Sequence, residues 1–156
     1  MQIKDINWSW KQFEDLTLRE LYEILKLRIE VFSVEQQCPY QDLDDLDMCS
    51  HHLMGLDKEN KLVAYLRLIS PGFKYKEPSI ARVISSRKAN CRGIGLGKVL
   101  VQEGIKRSNK LYPGAGNRIS AQERLTGFYE ALNFKVSGFT YLEDNIAHIE
   151  MVLSDE

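Results

Sequence analysis

Arg87, Lys88 and Arg92 share one short stretch with Gly93, Gly95 and Gly97, and Lys98 follows directly. That combination suits the capture of an anion. Glycines let a backbone close around a ligand because no Cβ stands in the way, and the first N–H groups of a helix have no internal partner and carry partial positive charge. Arginine adds a fork that grips phosphate through two hydrogen bonds. A phosphate-bearing cofactor is the chemistry expected here; a ligand-free glycine-rich turn is the plainer alternative. The dinucleotide pattern G-x-G-x-x-G fails, because Lys98 stands where its last glycine belongs. The nucleoside-triphosphate loop fails too, since Val99 follows Gly97-Lys98 where Ser or Thr is required. What remains is Arg92-x-x-Gly95-x-Gly97.

A second group of reactive side chains lies upstream. Asp42, Asp44, Asp45 and Asp47 follow Glu35 in an acidic run that could draw in a cationic amine, or simply face solvent and cap helices. A calcium loop does not fit, because Asp47 occupies the position that needs glycine. Cys38, Cys49, His51 and His52 lack the close cysteine pair of a structural zinc site, so no metal is expected. His148 reads as a paired strand residue.

These residues need elements to position them. Ile80–Ser86 is short and rich in β-branched or small residues, which predicts a strand entering the glycine turn. From Lys98 to Lys110, Val99, Leu100 and Ile105 recur near helical spacing. Upstream, the stretch from Met1 to Trp10 alternates as an edge strand would. Thr17-Leu18-Arg19-Glu20 has capping-box spacing, and the helix it opens is expected to bury Leu18, Leu21, Leu25, Ile29 and Phe32, ending near Val34. Leu53–Leu56 and Leu62–Ser70 read as a hairpin around Asp57–Asn60. Arg118–Gln122 reads as a strand and Thr126–Leu132 as a short helix. Lys135–Leu142 and His148–Leu153 then form a closing strand pair. The order β-α-β-β-β-α-β-α-β-β predicts an α/β (α+β) single domain over residues 1–156, a mixed sheet with helices on both faces.

Composition narrows the partners. Hydrophobic content of 44% and charged content of 28% are those of an ordinary globular domain, and a net charge of -1 gives no reason to expect nucleic acid or an anionic membrane. Three unpatterned cysteines suit a reducing cytosol better than a disulfide scaffold, and no long apolar run or signal segment is seen. A cytoplasmic location is therefore expected.

Arg92-x-x-Gly95-x-Gly97, set between strand and helix, resembles the pyrophosphate-binding signature of the GNAT acyl-CoA N-acyltransferases. The stretch from Leu27 to Asp47 is similar to the signature region of the ElaA-type branch, as are Ser120-Ala121-Gln122, Phe128-Tyr129-Glu130, Tyr141–Asp144 and His148–Met151. The resemblance implies the GNAT fold and an acetyl-CoA-dependent N-acetyltransferase. Arg87, Arg92, Gly93, Ile94, Gly95, Leu96, Gly97 and Lys98 would hold the cofactor's diphosphate, and the backbones of Val83 and Ile84 its pantetheine arm. Tyr129 matches the family's acid. Many members carry a Glu on the central strand, but this strand carries Arg82, so the base stays open among Glu35, His52, Glu143 or an ordered water. Asp42, Asp44, Asp45 and Gln122 are the expected contacts for a primary amine on a small molecule or peptide. Asn133 stands where the family has glycine, at a helix end that needs a left-handed residue. The missing carboxylate keeps a CoA-sensing or partner-binding module in view. Arg28-x-x-x-Phe32 similarly keeps an acyl-homoserine-lactone-synthase-like enzyme in view. The oligomeric state stays open, a homodimer included.

Overall fold

The computed structural model describes residues 1–35, 37, 40–88, 91 and 93–154, with only the backbone of residues 34 and 35. Its elements follow in the expected order: β1 (Asn7–Gln12), α1 (Leu18–Arg28), β2 (Ser50–Leu56), β3 (Leu62–Ile69), β4 (Ser79–Ser85), α2 (Leu96–Leu111), β5 (Asn117–Gln122), α3 (Thr126–Glu130), β6 (Lys135–Glu143) and β7 (Ile146–Leu153). Hydrogen bonding divides the strands into two antiparallel sheets, β1-β2-β3-β4 and β5-β7-β6, where the sequence suggests one mixed sheet. β4 and β5 are the facing edges. They meet at their starts, where the Arg118 N–H donates to the Pro78 carbonyl at 3.1 Å and the Ile80 N–H donates to Asn117 Oδ1 at 3.1 Å. No ladder joins them beyond that point, and a cleft occupies the space between their later residues.

Side-chain alternation explains the layers. Along β2 and β3, Leu53, Ala64 and Leu66 point to one face and pack with Leu96, Leu100 and Val101 around α2. Met54 and Tyr65 point the other way and pack with Ile24, Leu27 and Val31 from α1 and the turn after it. The helices therefore do lie on both faces. At Gly104 a Cβ would sit 2.8 Å from Leu66 Cδ2, so glycine in mid-helix is what lets α2 approach β3. That contact outweighs its helix-propensity cost of about 1 kcal/mol.

The first helix forms where expected but rolls to a different face. Its capping box closes, with the Glu20 N–H donating to Thr17 Oγ1 at 3.0 Å and the Thr17 N–H to Glu20 Oε1 at 2.9 Å. Leu18 and Ile29, expected inside, are 87% and 51% exposed, while Ile24, Leu27 and Arg28 are buried. The arginine decides the roll, because its guanidinium has buried carboxylates to meet. After Arg28 the chain widens into a π-helical turn, Ile29–Glu35. At the other end of the chain, Asp144 and Asn145 take φ of 52° and 63°, the two left-handed positions of a tight hairpin between β6 and β7. Asn133 takes φ of 72°, as its place after α3 requires.

Candidate active site

β4 is interrupted where it borders the cleft. Tyr65 pairs with Ile84 and Arg67 with Ala81, so Arg82 and Val83 together face the single residue Leu66. That is a β-bulge, and Arg82 within it takes a φ of 53°. A bulge leaves one residue out of the ladder and turns its backbone groups away from the neighbouring strand. Here they border a cleft of about 390 Å³ lined from one side by Ala81 to Ser85 and from the other by Ser120, Ala121, Gln122 and Tyr129. Val31 and Phe32 of the π-helical turn supply apolar wall.

Tyr129 is 7% exposed, packed edge-on against Phe128 and Phe134 with centroids 5.0 and 5.7 Å away. Among the described residues its hydroxyl has no hydrogen-bond partner, and burial pushes its pKa up to about 12. It is a neutral donor facing a cleft. Glu143, at the end of β6, lines the same cleft with a side chain 43% exposed. Ser120 Oγ donates to Glu143 Oε2 at 3.0 Å, and His148 Nε2 lies 3.5 Å from the same oxygen. Tyr141 stacks on His148 at 6.2 Å and shares a short hydrogen bond with Ser120. Gln122, expected as a substrate contact, lines the cleft; Ser120 and His148, which the sequence names only within family-like stretches and assigns no role in the site, meet Glu143 here.

A second hollow of about 400 Å³ adjoins the cleft and shares Ser85 and Arg87 with it. Gly93, Gly95, Leu96, Gly97 and Lys98 line it, with Ile94 packed on the core beneath. Gly93 and Gly95 have φ of 71° and 76°, conformations open to glycine at little cost. Gly95 is the N-cap of α2; among the described residues no side chain caps the helix, and no acidic residue occupies its first turn. Its leading N–H groups thus border a hollow without a carboxylate of their own. Arg92 and the side chain of Glu35 lie outside the described residues.

The acidic run is corrected in part. Asp42 is buried, its carboxylate meeting Arg28 Nε at 2.9 Å and Arg82 Nε at 2.8 Å. Arg67 holds Asp44 through two hydrogen bonds of 2.8 and 2.6 Å, and Asp47 bridges Arg28 at 2.6 Å and Arg67 at 2.9 Å. Burial alone would raise the Asp44 and Asp47 carboxyls, but hydrogen bonds from Arg67 and Arg28 outweigh it and hold both below the usual carboxylate range. Carboxylates so engaged tie down their own loop before they attract an amine. Asp45 is exposed, with φ of 67°, and is not among the cleft residues; Asp44 is, through the exposed part of its side chain.

His52 does not line the cleft either. It is 1% exposed, between the Tyr65 hydroxyl at 2.7 Å and the Asp47 carbonyl at 2.9 Å. A carbonyl only accepts, so Nε2 carries the proton and Nδ1 accepts from Tyr65. Burial lowers its pKa, and the neutral ring braces the acidic loop. Among the described residues no three His, Cys, Asp or Glu side chains are grouped to hold a metal, and no helix is long and apolar enough to cross a membrane.

Known proteins share this chain's fold and sequence. A family model for the acetyltransferase (GNAT) domain matches residues 20–154. A crystal structure of an acyl-CoA N-acyltransferase from Pseudomonas aeruginosa superposes with a TM-score of 0.89 at 42% identity, covering 96% of this chain and 99% of that one. The crystal structure of Escherichia coli ElaA gives 0.87 at 32% identity, with coverage of 96% and 99%. A UPF0039 protein of Synechocystis is 44% identical over 148 residues, 95% of each chain.

Proposed function

Because the chain belongs to the GNAT acetyltransferase family, we propose that it transfers an acetyl group from acetyl-CoA to a primary amine of a small molecule or peptide by direct attack in a ternary complex. The observation that carries this reading is the adjacency of two hollows that share Ser85 and Arg87. One lies at the start of α2, the other beside the bulge at Arg82 with Tyr129 and Glu143 in its lining. The co-substrate's diphosphate is anionic and suits the N–H groups of Leu96, Gly97 and Lys98. Its pantetheine arm follows the backbone of Val83 and Ile84 past the bulge.

An amine of pKa about 10.4 must lose a proton before it attacks. Glu143 is the base, since its half-exposed carboxylate lines the cleft beside the Ser120 hydroxyl and the His148 imidazole, with Lys74 of the same lining close enough to feel its charge. The nitrogen then forms its bond to the thioester carbon. Negative charge develops on the carbonyl oxygen, which a bulge N–H stabilises. As the C–S bond breaks, the Tyr129 hydroxyl gives its proton to the leaving thiolate and the phenolate takes back the surplus proton of the newly bonded nitrogen, leaving the neutral amide, while the proton first taken from the ammonium passes from Glu143 to solvent.

Gly97→Asp tests the reading cleanly. An acid in the first turn favours a helix, so the fold should gain a few tenths of a kcal/mol. The same charge repels a diphosphate, and acetyl-CoA affinity by calorimetry should fall at least tenfold. Unchanged affinity would remove the diphosphate from this turn. Release of free CoA against a panel of polyamines, amino acids and peptides identifies the acceptor.

A further inference from the structure

The bulge residue is an arginine in a left-handed conformation, a backbone state that costs a non-glycine residue roughly 1–2 kcal/mol and persists only where its surroundings impose it. Those surroundings are specific. Arg82 Nε donates to Asp42 Oδ1 at 2.8 Å, and Nη2 donates to the Asp42 carbonyl at 3.0 Å and to Asp44 Oδ2 at 3.4 Å. Its guanidinium lies over the Tyr40 ring, 5.8 Å from the centroid. The loop that grips it is in turn fixed from two other elements. Arg28 of α1 holds both the carboxylate and the carbonyl of Asp42, and Arg67 of β3 holds Asp44.

We infer that Asp42 and Arg82 are positioning residues: the acidic loop, anchored through Arg28 and Arg67, clamps the Arg82 side chain so that the bulge keeps its left-handed turn and its N–H stays aimed into the cleft. This rests on the acyltransferase reading for its kinetic consequence, but not for its structural one. The clamp also explains why an arginine replaces a carboxylate on this strand. The position serves the backbone, and the base comes from the opposite wall.

The test sets Arg82→Gly beside Arg82→Ala. Glycine takes φ of 53° without a clamp and alanine does not, so the glycine variant should keep roughly tenfold more kcat than the alanine variant. KM for acetyl-CoA should stay within about twofold in both, because diphosphate binding lies elsewhere. Equal kcat values would mean that the side chain itself serves the reaction, and would overturn the inference. Asp42→Asn should lower kcat in the same way. In the free protein, NMR three-bond HN–Hα couplings and Cα shifts of residue 82 should move from left-handed to extended values in Asp42→Asn and in Arg82→Ala. A residue 82 that stays left-handed in both refutes the clamp even if kinetics agree. If the wild-type chain releases no CoA with any amine, the proposed function fails, and the NMR measurement still decides the clamp. Should Asp42→Asn not fold, the glycine–alanine pair at the part-exposed position 82 decides alone.

Discussion

The two walls of the cleft treat charge in opposite ways. On the β4 side, Asp42, Asp44 and Asp47 interlock with Arg28, Arg67 and Arg82, and the first two arginines are 0% and 1% exposed. On the β5-β7-β6 side, Glu143 stands nearly half exposed beside a serine and a histidine. The Asp44 and Asp47 carboxyls, hydrogen-bonded by guanidiniums, are held below the usual carboxylate range. The Glu143 carboxylate has no guanidinium on it and keeps access to solvent and to the cleft. Cancelled charge therefore marks the wall that holds shape, and available charge marks the wall proposed to do chemistry.

Substitutions on each side should separate these roles. Arg28→Met leaves buried carboxylates short of a partner and should cost about 3 kcal/mol in denaturant melts; a loss below about 1 kcal/mol would mean that the ion pairs do not fix the loop. Glu143→Gln should cut turnover on the order of 10³-fold with the melting temperature nearly unchanged. Full activity in that variant would leave the second wall without its base. Tyr129→Phe should lower turnover by about 10²-fold at similar acetyl-CoA affinity, read by stopped assays of CoA release.

The smallest effect is a slope. Burial holds the His52 pKa below its ordinary value, so below pH about 6.5 the unfolded chain binds protons that the folded one does not. Stability is full above that pH and falls on acidification, by less than about 1.4 kcal/mol per unit for one such group. His51 is lowered by burial as well and adds to the same window. His52→Gln should flatten the slope between pH 7 and 5, and an identical slope in the variant would contradict a neutral buried ring. The lowered Asp44 and Asp47 groups act in a separate window. Their contribution is present above pH about 3.9 and is lost as pH falls through their lower folded values.

Much of this was legible from residues alone. Element order followed from periodicity and turn chemistry, and the glycine turn announced itself by composition. What the sequence hid was pairing between distant residues. Arg28 lies among apolar helix positions and Arg67 within a buried strand, and each finds its carboxylates in the run from Asp42 to Asp47. Counting those arginines against those aspartates would have revealed the network and the roll of α1. The bulge at Arg82 was not legible, since nothing in a run of small and β-branched residues signals an inserted residue. Ser120 and His148 reach Glu143 only through the register of β5, β6 and β7.

The bare start of α2 carries a thermodynamic corollary. A helix whose N-cap is a glycine and whose first turn holds no acid forgoes roughly 1 kcal/mol that its own residues could supply. On the proposed reading an occupant makes good that deficit by mass action, adding about 2.7 kcal/mol at a hundredfold excess over its dissociation constant. The folded fraction of this protein would then track the supply of acyl donor, so starvation for that metabolite would register first as a lowered melting point.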